Sequence, residues 1–293
     1  MSTVTAHPAD FFSGAKAARS GPRSLWSKFL SVICVGLALL TLVPLFSIIF
    51  LVLKNGLPLL TWSVFTELPP AAGMTGGGFG NAIVGTLLMV GIALALATPF
   101  GILSAIYINE YDPYSTLSNA VRFVAKLLTG IPSIICGVFA YAVIVLTTGG
   151  FSAFAGGFAL AILILPTILL TAEQALLSVP KSYREASYAL GATNFQTIWR
   201  VVLPDSLPAI MTGIMLAVAR AAGETAPLVF TALFSQFWIQ SLREPTASLS
   251  VLIYNFSTLP FEHQIKMAWT ASLVLVILVT IANITAQVVF RRR

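Results

Sequence analysis

The chain has 293 residues, is 57% hydrophobic and only 9% charged, and carries a formal net charge of +6. An ordinary soluble domain is about 25% charged, so no soluble fold of this size hides so much apolar surface, and the chain reads as an integral membrane protein. Its apolar runs are continuous and of span length, which argues for helices over a barrel, and its basic residues flank those runs, which sets nucleic-acid binding aside.

In chain order, residues 1–28 are polar and Ala/Ser-rich, and carry Lys16, Arg19, Arg23 and Lys28. They read as a mobile basic tail. The apolar run 29–53 lies between Lys28 and Lys54 and predicts a first transmembrane helix. At about 1.5 Å per residue it covers ~37 Å, enough for a ~30 Å hydrocarbon core. It is too long for the apolar part of a signal peptide and lacks a clear cleavage site, so it is retained. Residues 54–78 form a connector outside the bilayer, with Trp62 and Phe65 at the interface and the cluster Gly76, Gly77 and Gly78. No strand precedes these glycines and no Gly-Lys-Ser/Thr follows, so they predict a flexible link and not a phosphate cradle.

The second span covers 80–107 and is followed by the polar stretch Asn109–Lys126. The third covers 130–147 and opens with Gly130-Ile131-Pro132-Ser133. After a short turn the fourth runs over 154–175, and a polar segment follows at 182–204. The fifth span covers 207–233. A loop at 234–266 holds a short apolar stretch, Leu249–Phe256. The sixth covers 268–289, and Arg291-Arg292-Arg293 closes the chain. With the N-terminus inside, twelve Lys and Arg fall in internal segments and three (Lys54, Arg243, Lys266) in external ones. The positive-inside rule then places both ends and the polar segment in the cytoplasm.

The polar segment is a helix-forming island among spans. Ser182 with Glu185 and Thr193 with Gln196 have the spacing of capping boxes. Gly191 falls between them, where a helix should stop and the chain turn. Phe195, Ile198, Trp199 and Val202 recur at helical spacing. Two readings stand: a surface loop that joins spans, or a helix pair presented to a cytoplasmic partner.

Arg220 is the one basic residue left inside a span, near the middle of 207–233, with Glu224 four positions on. A charge at this depth costs ~2.5–3.5 kcal/mol on insertion scales. Gly213 and Ala217 lie on the same face, and small residues there allow close helix packing. Pro227 should bend the helix beyond the pair. The pair either neutralises itself and fixes packing, or lines and gates a transport path.

Cys34 and Cys136 sit in apolar runs and read as small buried hydrophobes. The two histidines, His7 and His263, are far apart, so no metal site is expected. There is no Walker A sequence, no zincin motif and no Gly-x-Ser-x-Gly elbow. The chain is therefore not expected to be an enzyme or to hold catalytic residues. The span interiors hold few acidic groups (Glu224, with Glu173 near one end), which disfavours a proton relay.

Glu185-Ala186-Ser187, Gly191, Val201 and Leu203-Pro204 fall at the spacing of the cytoplasmic EAA loop of permease subunits of bacterial ABC importers. Ser187 replaces an alanine and Val201 an isoleucine of that pattern. Ala219-Arg220-Ala221-Ala222-Gly223-Glu224-Thr225-Ala226-Pro227-Leu228 resembles the fifth-helix signature of phosphate-importer permeases of the A type. Glu110-Tyr111-Asp112, Gly130–Ile134 and Leu249–Pro260 fit the same family. The resemblance runs from about residue 75 to the C-terminus and excludes the tail.

The resemblance implies an all-α integral membrane protein with the type I ABC importer permease fold: six transmembrane helices, with the permease domain over 79–290 and cytoplasmic coupling helices. It implies a bacterial plasma (inner) membrane location and a complex with a homologous C-type permease, two cytoplasmic ATPase subunits and an external phosphate-binding protein. ATP and Mg would sit on the ATPase, and this chain would bind no cofactor. Glu185, Ala186 and Gly191 would couple to the ATPase, while Arg220 and Glu224 would act in translocation of phosphate. A permease for sulfate or molybdate, an ion-coupled secondary transporter and, last, a membrane enzyme are the alternatives.

Overall fold

The computed structural model describes residues 22–290. Most of the expected tail, residues 1–21, and Arg291–Arg293 lie outside these. Among the described residues every regular element is helical. Helix α1 (Pro22–Gly56) is followed by a 3-10 turn at Leu57–Leu59 and the short α2 (Ser63–Thr66). Helix α3 (Gly80–Ile106) continues into a π turn, Tyr107–Tyr111. Next come α4 (Thr116–Gly130), α5 (Ser133–Ala140), a π turn at Tyr141–Val145, α6 (Leu146–Thr148) and α7 (Ala153–Leu177). Then come α8 (Lys181–Ala189), α9 (Asn194–Thr197), a π turn at Ile198–Val202 and α10 (Leu203–Gly223). Helices α11 (Ala226–Val229), α12 (Leu249–Ser257) and α13 (Glu262–Phe290) complete the chain.

The described residues fall into two compact units that divide between Leu51 and Val52. In the first, α1 is apolar all round and exposed from Trp26 to Leu51, the character of a helix surrounded by lipid. The second contains everything that follows. Five helical runs are long and apolar enough to cross a membrane. A sixth arises if α4 and the α5–α6 run, bent by 105°, count as one broken span.

That break differs from the expected third span at 130–147. The run Ser133–Thr148 covers only about 24 Å at 1.5 Å per residue, short of a hydrocarbon core. The stretch expected to be merely polar is the amphipathic helix α4. Ser115 caps it, its hydroxyl accepting from the Ser118 N–H at 3.1 Å. Pro132 explains the bend: it has no N–H to donate, and it holds Ile131 extended at φ −74°, ψ 132°.

The fifth span also differs. Expected at 207–233, its helix stops at Gly223, and Glu224 is extended at φ −75°, ψ 128°. Pro227 does not bend this helix, which has already ended. It sits in the first turn of α11, where its missing N–H costs nothing.

Nor is the connector at 54–78 a simple link. It folds back on itself, with Gly78 N–H donating to Leu68 O at 3.0 Å and Phe79 N–H to Val64 O at 2.9 Å. Gly76 meets His263 Nε2 at 3.1 Å.

Helix α7 is the centre of the second unit. Its small residues Ala153, Ala155, Gly156, Gly157, Ala159 and Ala161 are buried, and α3 and α10 pack against it. Between membrane helices there is little hydrophobic drive, so close contact through small residues supplies the attraction. A β-carbon added at Gly213 of α10 would lie 2.2 Å from Thr171 Oγ1 and 2.6 Å from its Cβ. Gly213→Val is therefore expected to destabilise the fold by about 1–3 kcal/mol, seen as a lower thermal midpoint in detergent. Gly91→Val, where nothing lies within 4 Å of the added carbon, is expected to leave that midpoint in place.

Candidate functional site

The island between α7 and α10 is a helix–turn–helix. Helix α8 starts at Lys181 with Pro180 in the N-cap position and no side-chain cap. The expected Ser182–Glu185 box is thus absent, because the helix is capped at Pro180, two residues before Ser182, which leaves Ser182 inside it. The second box is present: Thr193 Oγ1 accepts from Gln196 N–H at 3.3 Å, and Gln196 Oε1 accepts from Thr193 N–H at 2.9 Å.

Gly191 stops α8 at φ +81°. Gly191 N–H donates to Tyr188 O at 2.9 Å and Ala192 N–H to Ser187 O at 3.2 Å, the paired bonds of a Schellman ending. The two short helices are tied side chain to side chain. Ser187 Oγ lies 2.9 Å from Thr197 Oγ1, and the Tyr188 hydroxyl bonds Asn194 Oδ1. The outer face carries Tyr183, Glu185, Ala186, Leu190, Phe195 and Trp199, all exposed. Leu190 is 90% exposed. A rigid, capped turn that displays this much apolar surface has the form of a docking element.

Behind that face sit two charge clamps that hold the π turn ending α3. Arg184 of α8 grips Glu110 in a fork, Nη2 to Oε1 at 2.6 Å and Nε to Oε2 at 3.1 Å. It also donates to Val179 O at 2.8 Å and Leu176 O at 3.0 Å, carbonyls at the end of α7. Arg122 of α4 donates to Glu173 Oε1 of α7 at 2.5 Å, to Ile108 O at 2.6 Å and to Pro113 O at 2.8 Å. Both carboxylates are less than a tenth exposed. Each guanidinium uses several of its donors, which makes burying these charges tolerable.

At the other end of α10, Arg220 lies in the last helical turn, not in the middle of a long helix. Its Nε is 3.7 Å from Glu224 Oε1, an ionic contact too long for a hydrogen bond. Gly213 and Ala217 are buried as expected, while the Arg220 side chain is 38% exposed and that of Glu224 20%. The break after Gly223 is held from two sides. Ser250 Oγ of α12 donates to Glu224 O at 2.8 Å. On the other side a β-carbon at Gly137 of α5 would lie 2.6 Å from Pro227 Cα, so α5 and α11 touch backbone to backbone.

The residues singled out in sequence therefore form two groups and not one site. Glu185, Ala186 and Gly191 share the helix–turn–helix. Arg220 and Glu224 stand at the far end of the 30-residue run Asn194–Gly223, about 45 Å of helix away. The sequence reading missed the roles of Arg184, Glu110, Arg122 and Glu173. Their partners lie 74 and 51 residues apart, beyond any local spacing rule.

Residues 97–293 match the family described as binding-protein-dependent transport system inner membrane component. The phosphate transport system permease protein PstA of Yersinia pestis is 40% identical over 246 residues, covering 84% of this chain and 83% of that protein. The protein of the same description from Haemophilus influenzae is 36% identical over 275 residues, covering 92% and 97%. Among solved structures, a chain of a bacterial alginate ABC transporter aligns with a TM-score of 0.63 at 18% identity, over 90% of this chain and 94% of that one. A chain of the MetNI methionine ABC transporter aligns at 0.59 and 21%, over 72% and 92%. At those identities the two structures speak to the fold alone, that of an ABC importer permease.

Proposed function

The chain belongs to the family of binding-protein-dependent transport system inner membrane components, and from that premise we propose that it is the A-type permease subunit of an ATP-driven phosphate importer. The observation that carries the substrate is the 36–40% identity, over more than four-fifths of both chains, to proteins described as phosphate transport permeases. The chain is a multi-pass membrane protein. We further propose that both termini and α8–α9 face the cytoplasm, with the permease domain over 79–290. A C-type permease, two ATPase subunits and an external phosphate-binding protein complete the complex. The excess of Lys and Arg on one side supports the orientation, and the exposed face of α8–α9 supports the ATPase contact.

On this reading ATP binding closes the ATPase dimer, which grips α8 through Glu185, Ala186 and the Gly191 turn. The capped helix–turn–helix moves as a unit and pulls on α7 and α10, to which it is joined. The path between the two permeases opens outward and receives phosphate from the binding protein. Arg220 then meets the anion. Its planar, delocalised cation suits a pair of phosphate oxygens, and it stands beside a break in the helix. Glu224 holds Arg220 while the path is empty and opposes lasting capture of the anion. The loose 3.7 Å contact suits a partner that has to be exchanged.

The assembled complex, reconstituted in vesicles with its binding protein, is expected to take up radiolabelled phosphate only with ATP. An excess of sulfate or molybdate should leave that uptake unchanged. Competition by either oxyanion would shift the assignment to another anion. Uptake by this chain and its partner permease without any ATPase would remove the ABC mechanism.

A further inference from the structure

The push on α8 has three routes into the rest of the molecule. Two follow the chain: back through Pro180 into α7, and on through Gly191 and α9 into α10. The third does not. The π turn that continues α3 ends at Tyr111, 70 residues before α8 begins at Lys181, and among the described residues the Arg184–Glu110 fork alone joins α8 to it by charge. Along α8, every residue is exposed except Arg184 and Ser187. Ser187 is spent on α9. Arg184 thus has the geometry of a strut, its one guanidinium bonded both to the Leu176 and Val179 carbonyls at the end of α7 and, through its fork, to Glu110.

We infer that the Arg184–Glu110 pair is a positioning element that makes α3 move together with the docking helix, and so couples ATP use to the opening of the path. This rests on the reading of α8 as the docking element. The chemistry suits a strut. A bidentate guanidinium–carboxylate pair resists rotation as well as separation, which a single ammonium contact does not. Glu110 is also placed to receive the motion. It belongs to the π turn Tyr107–Tyr111, an irregular turn of a kind often found at functional sites, and Asn109 Nδ2 steadies its Oε1 at 2.6 Å. Helix α3 in turn packs closely on α7: a β-carbon at Gly101 would meet Ile168, and one at Gly157 would meet Ile92. A jolt delivered at Glu110 therefore spreads through the centre of the second unit. Without the fork, α3 is still held to α7 by packing and by the Arg122 clamp, neither of which includes a residue of α8.

The test measures phosphate uptake and ATP hydrolysis together in the reconstituted complex. Glu110→Gln keeps the side chain's size but removes the charge and one acceptor. It is expected to leave ATP hydrolysis within about twofold of the parent and to lower phosphate moved per ATP by roughly tenfold, as for one strong charge-assisted interaction lost. A purely structural role would lower both rates together and leave the ratio alone. An unchanged ratio overturns the strut. A second variant guards against poor assembly of the first: Arg184→Cys with Glu110→Cys, in a chain whose Cys34 and Cys136 are alanine. Bridging the new thiols with a short bifunctional reagent should restore the ratio that the unbridged form has lost. A bridged form that stays uncoupled overturns the proposal. A parent complex that moves no phosphate is a separate failure, that of the functional reading itself.

Discussion

Replacing Arg220 with glutamine is expected to lower phosphate uptake by roughly 10- to 100-fold, the size of one charge-assisted contact of about 1.5–3 kcal/mol lost from the path. Assembly and ATP hydrolysis should persist. The geometry supports the split. Arg220 is partly exposed and makes only a loose ionic contact with Glu224, so its removal leaves one carboxylate that still reaches solvent and not a buried orphan charge. The packing on this helix rests on Gly213 and Ala217, which are untouched. Glutamine is shorter than arginine but keeps an N–H donor at the tip of the side chain. Glu224→Gln is the informative companion: it should tighten phosphate retention and slow release, because the competing anion is gone. Uptake by Arg220→Gln at the parental rate, with assembly verified, would remove the residue from the mechanism. The self-neutralising pair that merely fixes packing would then be the better account.

Gly191→Val should cut coupling of ATP hydrolysis to uptake by about tenfold or more, and the reason is conformational. Nothing lies within 4 Å of a β-carbon built there, so crowding inside the chain is not the problem. The backbone is at φ +81°, a region where a β-branched residue costs about 1–3 kcal/mol. Either the turn opens and the Schellman bonds to Tyr188 and Ser187 are lost, or strain is stored in a segment that must stay rigid. Gly191→Asn separates this from a size effect. Asparagine tolerates the left-handed region, and uptake should remain within about threefold of the parent. If asparagine fails as badly as valine, the requirement is for a small residue against the partner's surface and not for a backbone angle. Uptake and ATP hydrolysis unaffected by valine would sink the docking role of this turn.

Much of the molecule was legible in its residues. Long uncharged runs predicted the spans, and the ends of α3 and α7 fall within two residues of expectation, while α13 starts at Glu262, six residues before the expected 268 and inside the expected loop. Gly191 and the Thr193–Gln196 box were readable because a helix stop and a cap depend only on neighbours three or four positions away. The Ser182–Glu185 box had the same pattern and is not formed. The preceding Pro180 starts the helix itself, and a spacing rule that ignores the residue before it cannot see this. The end of α10 had its own signal, Gly223 with Pro227 four residues on. The apolar character of 207–233 hid it, since hydropathy reports how far the membrane environment extends and not how far one helix runs.

The amphipathic α4 was missed for the converse reason. Asn109–Lys126 was read only as a polar stretch, although Leu117, Phe123 and Val124 interrupt it and Leu127 follows. Only a narrow face of that helix is buried, chiefly at Ser118 and Ala125.

By itself the sequence determined the all-helical membrane class, the polar helix-forming segment between two spans and the charged pair at Arg220 and Glu224. Those rest on composition, periodicity and short-range spacing, which belong to the chain before it folds. The tertiary structure alone decided which charges meet. Arg184 finds Glu110 across 74 residues and Arg122 finds Glu173 across 51, because helix ends converge only after α3, α4 and α7 have packed. A guanidinium in a sequence is a cation beside a span. In the fold it becomes a link between helices, since burial raises the cost of leaving it unpaired and packing sets where its carboxylate partner stands.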